Sequence, residues 1–425
     1  MAWYGGKIPW PWWWAAPTYN QSDHAFRLCD QMTVGNIQAK KKESSPQAIW
    51  LTNGAMIEFR SWERPGGLYG PTVAGGVIDE FGQLTSEAYS ALSSRRAETI
   101  TCGFGHYRWF GNVGPVGGAA AKLWEKADEG NRGFQAFRWT WRDRAEAHGC
   151  QCDSGRPVPV QLGTSGQHAP TCQRGVYTAF IEDEAGRMSR SQFNRLYEAE
   201  WEDWNELPVY TFERATHVDP SIVLDPASPL HISCDFNVDP MAWIIGTAHG
   251  GEAWATDEIV IPGGATTQAA CQEVIRRYPN PTWNVTIFGD ASGRARKTSA
   301  VQTDYDIIRA VLGGYYPSFQ MRVPKGNPPV QDRVNAYNAM LRTADGTVRY
   351  RMHPRCKKLA NDLAKVAYKP GTRDFDKRDK SLTHFSDADG YRMVELFPVQ
   401  LPGRVVVGVT VNSLDQPDEV MGAMF

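Results

Sequence analysis

Three aspartates sit where an acid is costly unless something cationic meets it. Asp235 lies within HISCDFNVDP (231–240), at the end of an apolar run that resumes at Met241. A carboxylate in a strand-like apolar segment calls for a metal or a cation, and the Asn-Val-Asp-Pro turn is the rival reading. Asp290 ends a second such run, 283–289, with Arg294, Arg296 and Lys297 just beyond it. Asp387 falls near the start of the last helical pattern, one turn after His384. Singly, each reads as a cap or a loop acid. In the order strand, strand, helix they form the set that holds two divalent cations, Mg2+ or Mn2+, for phosphodiester hydrolysis. The Arg and Lys residues at 294–297 and 369–380 would track phosphates without reading bases.

The first half carries different chemistry. The segment 73–78 reads as a short buried strand ending in Asp79 and Glu80. In a Walker B element the first acid holds Mg2+ and the second polarises the attacking water. Asn112, after the strand-like segment 107–110, occupies the place of a γ-phosphate sensor, with a Gly-rich strand-to-helix loop as the plain alternative. The companion Walker A pattern, G-x-x-x-x-G-K-[ST], is not matched: Gly5-Gly6-Lys7 has no second Gly at the required spacing and no Ser or Thr after Lys7. The sequence therefore predicts no ATP turnover by this chain alone.

Between these two regions, Cys150, Cys152, His168 and Cys172 give C-x-C, fifteen residues, then H-x3-C, with His148 as a spare ligand. Three of the eight cysteines fall in this stretch. Two ligand pairs separated by a turn-rich loop suit a tetrahedral structural Zn2+; a loop with free thiols is the alternative.

Positioning these groups requires more than one core, because 425 residues exceed an ordinary single domain. Hydrophobic content of 42% and charged content of 22% are those of a globular protein, and a formal net charge of −2 leaves any nucleic-acid surface local. No apolar run approaches the ~20 residues that span a bilayer, and the Gly- and Pro-broken N-terminus is a poor signal peptide, so no membrane partner is expected. Apolar spacing predicts a strand over 10–16 and a helix over 22–32. A hairpin turns at Asn53-Gly54, and helices follow over 85–96, 119–128 and 189–201. The proline-rich stretch 207–229 reads as a connection. Beyond it, strands are expected over 248–261, 283–289 and 319–323, and helices over 267–278, 304–313 and 330–342. A hairpin at Asp345-Gly346 should lead into a strand over 347–352.

Taken in order, WWWAAPTYNQ (12–21), GGVIDEFGQL (75–84), RWFGNVGP (108–115), HISCDFNVDPMA (231–242), FGDASG (288–293), HPRCKKLANDL (353–363) and HFSDADGYR (384–392) resemble the large terminase subunit of tailed bacteriophages. The resemblance implies an α/β chain. A P-loop-ATPase-like (ASCE) domain over 1–206, lacking its Walker A segment and carrying the 148–175 Cys/His insertion, would precede a linker over 207–228. An RNase H-like nuclease domain over 229–398 and a tail over 399–425 would follow. It further implies Asp235, Asp290 and Asp387 as nuclease metal ligands, with Asp389 assisting, Asp79 and Glu80 as the Walker B pair, and Asn112 as the coupling residue. The implied activity is metal-dependent cleavage of concatemeric double-stranded DNA and, in a complete motor, ATP-driven packaging into a procapsid. Implied partners are DNA, the portal protein, the small terminase subunit and further copies in a ring on the portal. The implied location is the infected host's cytoplasm, not the mature virion. A non-catalytic assembly or DNA-binding component is the alternative, and a resolvase- or transposase-like enzyme is disfavoured by the Walker-B-like half.

Overall fold

The computed structural model describes residues 9–70, 72–95, 106–114, 116–129, 136–150, 152, 158–201, 208–236, 241–261, 266–295, 302–369 and 374–399. Over these residues the chain builds two six-stranded mixed sheets flanked by helices. Gly5-Gly6-Lys7, Arg296, Lys297, Asp239-Pro240 and the tail beyond Val399 lie outside the described residues.

The first sheet is centred on β1 (Trp12–Ala16), where Trp13, Ala15 and Ala16 are buried. Cover on both faces explains why this strand reads as an unbroken apolar run. α1 (Tyr19–Thr33) starts earlier than the apolar spacing suggests, because Thr18 and Gln21 close a capping box across its first turn. β2 (Gln38–Lys42), β3 (Gln47–Leu51) and β4 (Met56–Ser61) form an antiparallel meander, with the β3–β4 turn at Asn53-Gly54 as expected. No period announced β2: it is a polar edge strand, and edge lysines discourage pairing with other chains. β1 pairs in parallel with β4 and with β5 (Gly75–Ile78), and β5 pairs with β6 (His106–Trp109).

α2 (Ser86–Ser94) and α3 (Ala119–Asp128) follow the expected positions closely. α4 (Trp141–Ala147), α5 (Gln173–Arg187) and α6 (Arg190–Tyr197) pack around Trp141, Ile181, Ala185 and Phe193. α6 ends before 201 because the backbone turns left-handed at Ala199.

The stretch read as a linker is part of the second core instead. Val209 and Tyr210 are buried against Tyr337 and Val366, and the Val209 N–H donates to the Val366 carbonyl. The Thr211 N–H donates to Asn338 Oδ1. After the short α7 (Arg214–His217), Val218 bridges to Met352. Prolines here shape an ordered wrap rather than a spacer.

The second sheet has strand order β11-β10-β7-β8-β9-β12. β7 (Leu230–Asp235) pairs antiparallel with β8 (Met241–His249), which turns through Gly250-Gly251 into β9 (Glu252–Ile261). Both glycines have positive φ, the geometry a two-residue hairpin needs, so the expected strand over 248–261 is broken near its start. β10 (Val285–Gly289) lies parallel to β7 and to β11 (Phe319–Met321). β12 (Tyr350–Met352) does not close a hairpin after Asp345-Gly346; it pairs parallel with β9. The Asp345 carboxylate instead accepts from the Thr343 hydroxyl and the Thr347 N–H, closing a tight local turn. α8 (Thr267–Arg277) and α9 (Asp304–Tyr315) cover one face with Leu230, Ile232, Trp243 and Ile308. α10 (Val330–Leu341), α11 (Lys357–Lys365) and α12 (His384–Leu396) cover the other with Ile244, Tyr337 and Phe385.

Candidate functional site

The carboxyl ends of β7 and β10 bring the first two acids together. Gly289 faces Cys234 in the parallel register, so Asp235 and Asp290 emerge side by side, and the Asp290 N–H reaches the Cys234 carbonyl at 3.4 Å. Gly289 is required there: it holds φ +154°, and a Cβ would stand 2.6 Å from the Cys234 oxygen. The third acid arrives on α12, which lies against β7. The buried Ser233 hydroxyl donates to the Ala388 carbonyl, fixing the helix to the strand near both Asp235 and Asp387.

Each carboxylate has a holder. Asp290 Oδ1 accepts from the Ser292 N–H and from Asn327 Nδ2 at 2.9 Å, while Asn327 Oδ1 takes the Ala291 N–H at 2.7 Å. Asp387 Oδ1 pairs with the Arg333 guanidinium at 2.6 Å, and that guanidinium also covers the Tyr391 ring. His384 Nδ1 stands 3.5 Å from Asp235 Oδ2, with its Nε2 on the Lys380 carbonyl at 2.9 Å. Burial holds the Asp235 carboxyl above the usual carboxylate range; the charges of Asp387 and Asp290 push the same way, and His384 opposes them. Asp235 in turn raises the His384 imidazole above its ordinary value. A buried carboxylate crowded by two others is a site short of positive charge, which suits a cation.

The helix carrying Asp387 is capped from outside. Its own N-cap, Thr383, has φ 79° and offers no side-chain bond. Asp362 on α11 supplies the missing acceptor, taking the Phe385 and Ser386 N–H groups at 2.8 and 3.2 Å. Sequence reasoning missed Asp362, Arg333 and Asn327. None sits in a pattern; only the fold brings them in.

Asp389 does not join this site. It is fully buried and accepts from Tyr350 OH at 2.6 Å, Tyr337 OH at 2.7 Å and Arg392 Nε at 2.8 Å. On α12 it lies two positions after Asp387 and points into the core, as residues i and i+2 on a helix do not share a face.

In the first sheet, Asp79 follows β5 directly. Its N–H donates to the Ala15 carbonyl at 2.8 Å, and its Oδ1 accepts the Glu80 N–H at 3.1 Å. Glu80 is left-handed at φ 53°, which aims the chain back across β6. The Phe81 N–H then bonds the Phe110 carbonyl, and a Cβ on Gly82 would meet the Asn112 carbonyl at 2.0 Å. Backbone touches backbone, so Asp79, Glu80 and Asn112 share one end of the sheet.

The Cys/His group is also assembled. Cys150, Cys152 and Cys172 place their sulfurs 3.3, 3.7 and 3.5 Å from His168 Nδ1, and Cys172 Sγ is 3.8 Å from Cys150 Sγ. Among the described residues this is the single group of three or more potential metal ligands whose donor atoms all lie within 4.8 Å of one another. The carboxylate trio is more open. His148 is not in the group; its ring packs on Tyr177 at 5.3 Å.

No protein-family model matches the chain, and no curated protein sequence does. Solved structures do. The large terminase of a thermophilic bacteriophage, in complex with ADP, superposes with a TM-score of 0.56 at 15% identity, covering 91% of this chain and 86% of that one. The same phage protein in complex with ATP-gamma-S gives 0.56 at 16% identity, over 91% and 85%. The chain therefore has the fold of a large terminase, in both of its sheets.

Proposed function

We propose that this chain is a large terminase subunit of a tailed bacteriophage, and that its second sheet carries an RNase H-like, metal-dependent endonuclease for double-stranded DNA. The observation that carries the reading is the β7–β10 register: it sets Asp235 beside Asp290, and the Ser233–Ala388 bond brings Asp387 to the same end. Divalent cations, Mg2+ or Mn2+, would supply the activated water and stabilise the leaving oxygen. Asp235, Asp290 and Asp387 would hold them. Asn327 and Arg333 each bind an Oδ1 atom, which orients Asp290 and Asp387 and leaves the Oδ2 atoms for ligation. His384 faces Asp235 and is placed to steady that carboxylate or to move a proton beside it.

By likeness to a relative seen with ADP and ATP-gamma-S, ATP is the nucleotide proposed for the first sheet. In a motor that also supplies the Walker A pattern this sequence does not match, Asp79 would then serve the metal, Glu80 the attacking water and Asn112 the coupling. This chain alone is expected to turn over no ATP. Substrate and partners would be concatemeric DNA, the portal of a procapsid and a small subunit, in the host cytoplasm.

The test is cleavage of supercoiled plasmid with Mn2+ or Mg2+. Cleavage is expected to need the metal and to fall to background in Asp235→Ala and in Asp290→Ala. A double variant that cuts like the parent protein would end the nuclease assignment. A second reading, a non-catalytic assembly component, is favoured by the Arg333–Asp387 pair, which already neutralises the third acid. The two separate on Mn2+ binding: the nuclease binds it through these acids, and the assembly component does not.

A further inference from the structure

We infer that Cys150, Cys152, His168 and Cys172 are the four ligands of a closed, structural zinc site that fastens the loop after α4 to the first turn of α5. With Zn–S bonds of ~2.3 Å and Zn–N bonds of ~2.0–2.1 Å, a tetrahedron has S···S edges of ~3.8 Å and S···N edges of ~3.5 Å. The Cys150–Cys172 separation is 3.8 Å, and the three S···Nδ1 separations of 3.3, 3.5 and 3.7 Å centre on the expected edge.

Two plainer accounts fail on the same distances. A disulfide would bring two sulfurs to ~2.05 Å, whereas the Cys150–Cys172 pair stands at 3.8 Å and all three cysteines are free. Hydrogen bonding alone cannot gather three sulfurs on one ring nitrogen, because Nδ1 has a single proton or a single lone pair to offer. A central cation satisfies all four donors at once. Three thiolates and one imidazole are the donor set of zinc sites, and because all four positions come from protein the ion keeps no open place for catalysis.

The surroundings fit this role. The Ala169 N–H donates to Cys152 Sγ at 3.4 Å, a bond that orients a ligating sulfur and tempers its charge. α5 begins right after Cys172, and Gly175 in its first turn lets His168 close in: a Cβ there would stand 2.4 Å from the His168 Cβ. Within the described residues between Cys150 and Cys172, Val158 and Thr164 are buried and Val160 and Leu162 pack against the Trp141–Ile181 cluster, an apolar anchor in the middle of the loop and away from its Cys and His ends. Elsewhere in the loop, Glu182 takes the Gly163 and Ser165 N–H groups at 2.8 and 3.0 Å. The loop thus has two polar anchors on α5, one carboxylate and one metal, beside its apolar packing.

The test is metal content of the full chain, made in zinc-supplemented medium and dialysed against metal-free buffer. One zinc per chain is expected in the parent protein and in Cys29→Ser. Loss to background is expected in Cys150→Ser, Cys172→Ser and His168→Ala. Should those variants not fold, parent protein stripped with a chelator and refilled with Co2+ gives the independent readout. A tetrahedral thiolate site then shows intense visible d–d bands and a sulfur-to-metal charge-transfer band. Parent protein that holds no zinc and gives no such cobalt spectrum overturns the inference. So does zinc that survives Cys172→Ser but leaves with Asp235→Ala. Neither result depends on whether the chain cuts DNA.

Discussion

Replacing Asp389 separates a structural acid from the proposed metal ligand Asp387 within a single turn of α12. Its carboxylate and the Arg392 guanidinium are both wholly buried, with Oδ1 2.8 Å from Nη2 and from Nε. Oδ2 takes two tyrosine hydroxyls. Removing one partner of a buried pair costs about 3–5 kcal/mol, because the other charge stays behind unpaired. The Tyr337 and Tyr350 hydroxyls, which also bond each other, lose their shared carboxylate acceptor, adding roughly 1–3 kcal/mol that overlaps with the first cost. Asp389→Ala should therefore cost at least about 4 kcal/mol, a large part of the roughly 5–15 kcal/mol that holds a typical domain. Arg392 cannot swing out to water, since it also donates to the Thr247 and Trp254 carbonyls at 3.2 and 3.1 Å and fills the space over Gly246. Asp389→Asn keeps an acceptor and should fall at the low end, about 3 kcal/mol. The assay is thermal unfolding by circular dichroism, paired with plasmid cleavage per folded molecule. A large fall in midpoint with unchanged specific cleavage is expected. A variant that melts with the parent protein yet fails to cut or to bind Mn2+ would place Asp389 in the metal site and refute this reasoning.

Other outcomes follow from neighbouring groups. Burial raises the Asp362 carboxyl to about 7, while its bonds from the Ser386 and Phe385 N–H groups pull the other way. A raised acid stabilises the fold below its unfolded value and loses that contribution as pH climbs, so about 4 kcal/mol should fade between roughly pH 4 and 7; Asp362→Asn should flatten this slope in urea unfolding, and an unchanged slope would exclude Asp362 as its source. Gly111→Ala would set a Cβ 2.5 Å from the Glu80 Cα at a backbone φ of +134°. It should destabilise the first sheet by more than about 1 kcal/mol and leave metal-dependent cleavage intact, and a parent-like melting profile would count against the close backbone packing. Chelating zinc should speed hydrogen exchange in α5, and the change should reach the Ala344 amide, which bonds the Ala185 and Met188 carbonyls at 3.1 and 2.8 Å. Exchange confined to 150–172 would show that α5 does not pass the loosening on.

The parts legible in the sequence are those fixed by local spacing. Apolar periodicity and Asn53-Gly54 located the β3–β4 hairpin, and the acids at the ends of β5, β7 and β10 were visible because a carboxylate interrupts an apolar run. The Cys/His group was legible from ligand type and spacing alone. What failed depended on partners distant in sequence. Residues 207–228 looked like a spacer because their prolines and mixed polarity carry no period, yet Val209 and Tyr210 fill the second core. β12 looked like a hairpin arm, but its partner is β9, about a hundred residues earlier by the paired positions Tyr350 and Ala253. Asp389 looked like a spare ligand because proximity in sequence to Asp387 says nothing about which way a helical side chain points.

The groups that hold the three acids also explain how three carboxylates can share one sheet end. Three carboxylates at one sheet end repel, and burial of Asp235 amplifies the repulsion. Left alone they would splay, or Asp235 would take up a proton. Arg333 neutralises Asp387, His384 faces Asp235, and Asn327 clamps Asp290 and the next backbone N–H together. Arg333 is charged and Asn327 is neutral, and that sets the order for their removal. Arg333→Ala should strip the buried counter-charge and cost the most stability, about 3–5 kcal/mol. Asn327→Ala should cost about 1 kcal/mol, the usual worth of a hydrogen bond, and act mainly by loosening Asp290, so it should weaken Mn2+ binding more than it lowers the melting point. If Arg333→Ala instead bound Mn2+ more tightly and cut faster at full stability, Arg333 would be a brake competing with the cation for Asp387 rather than its support.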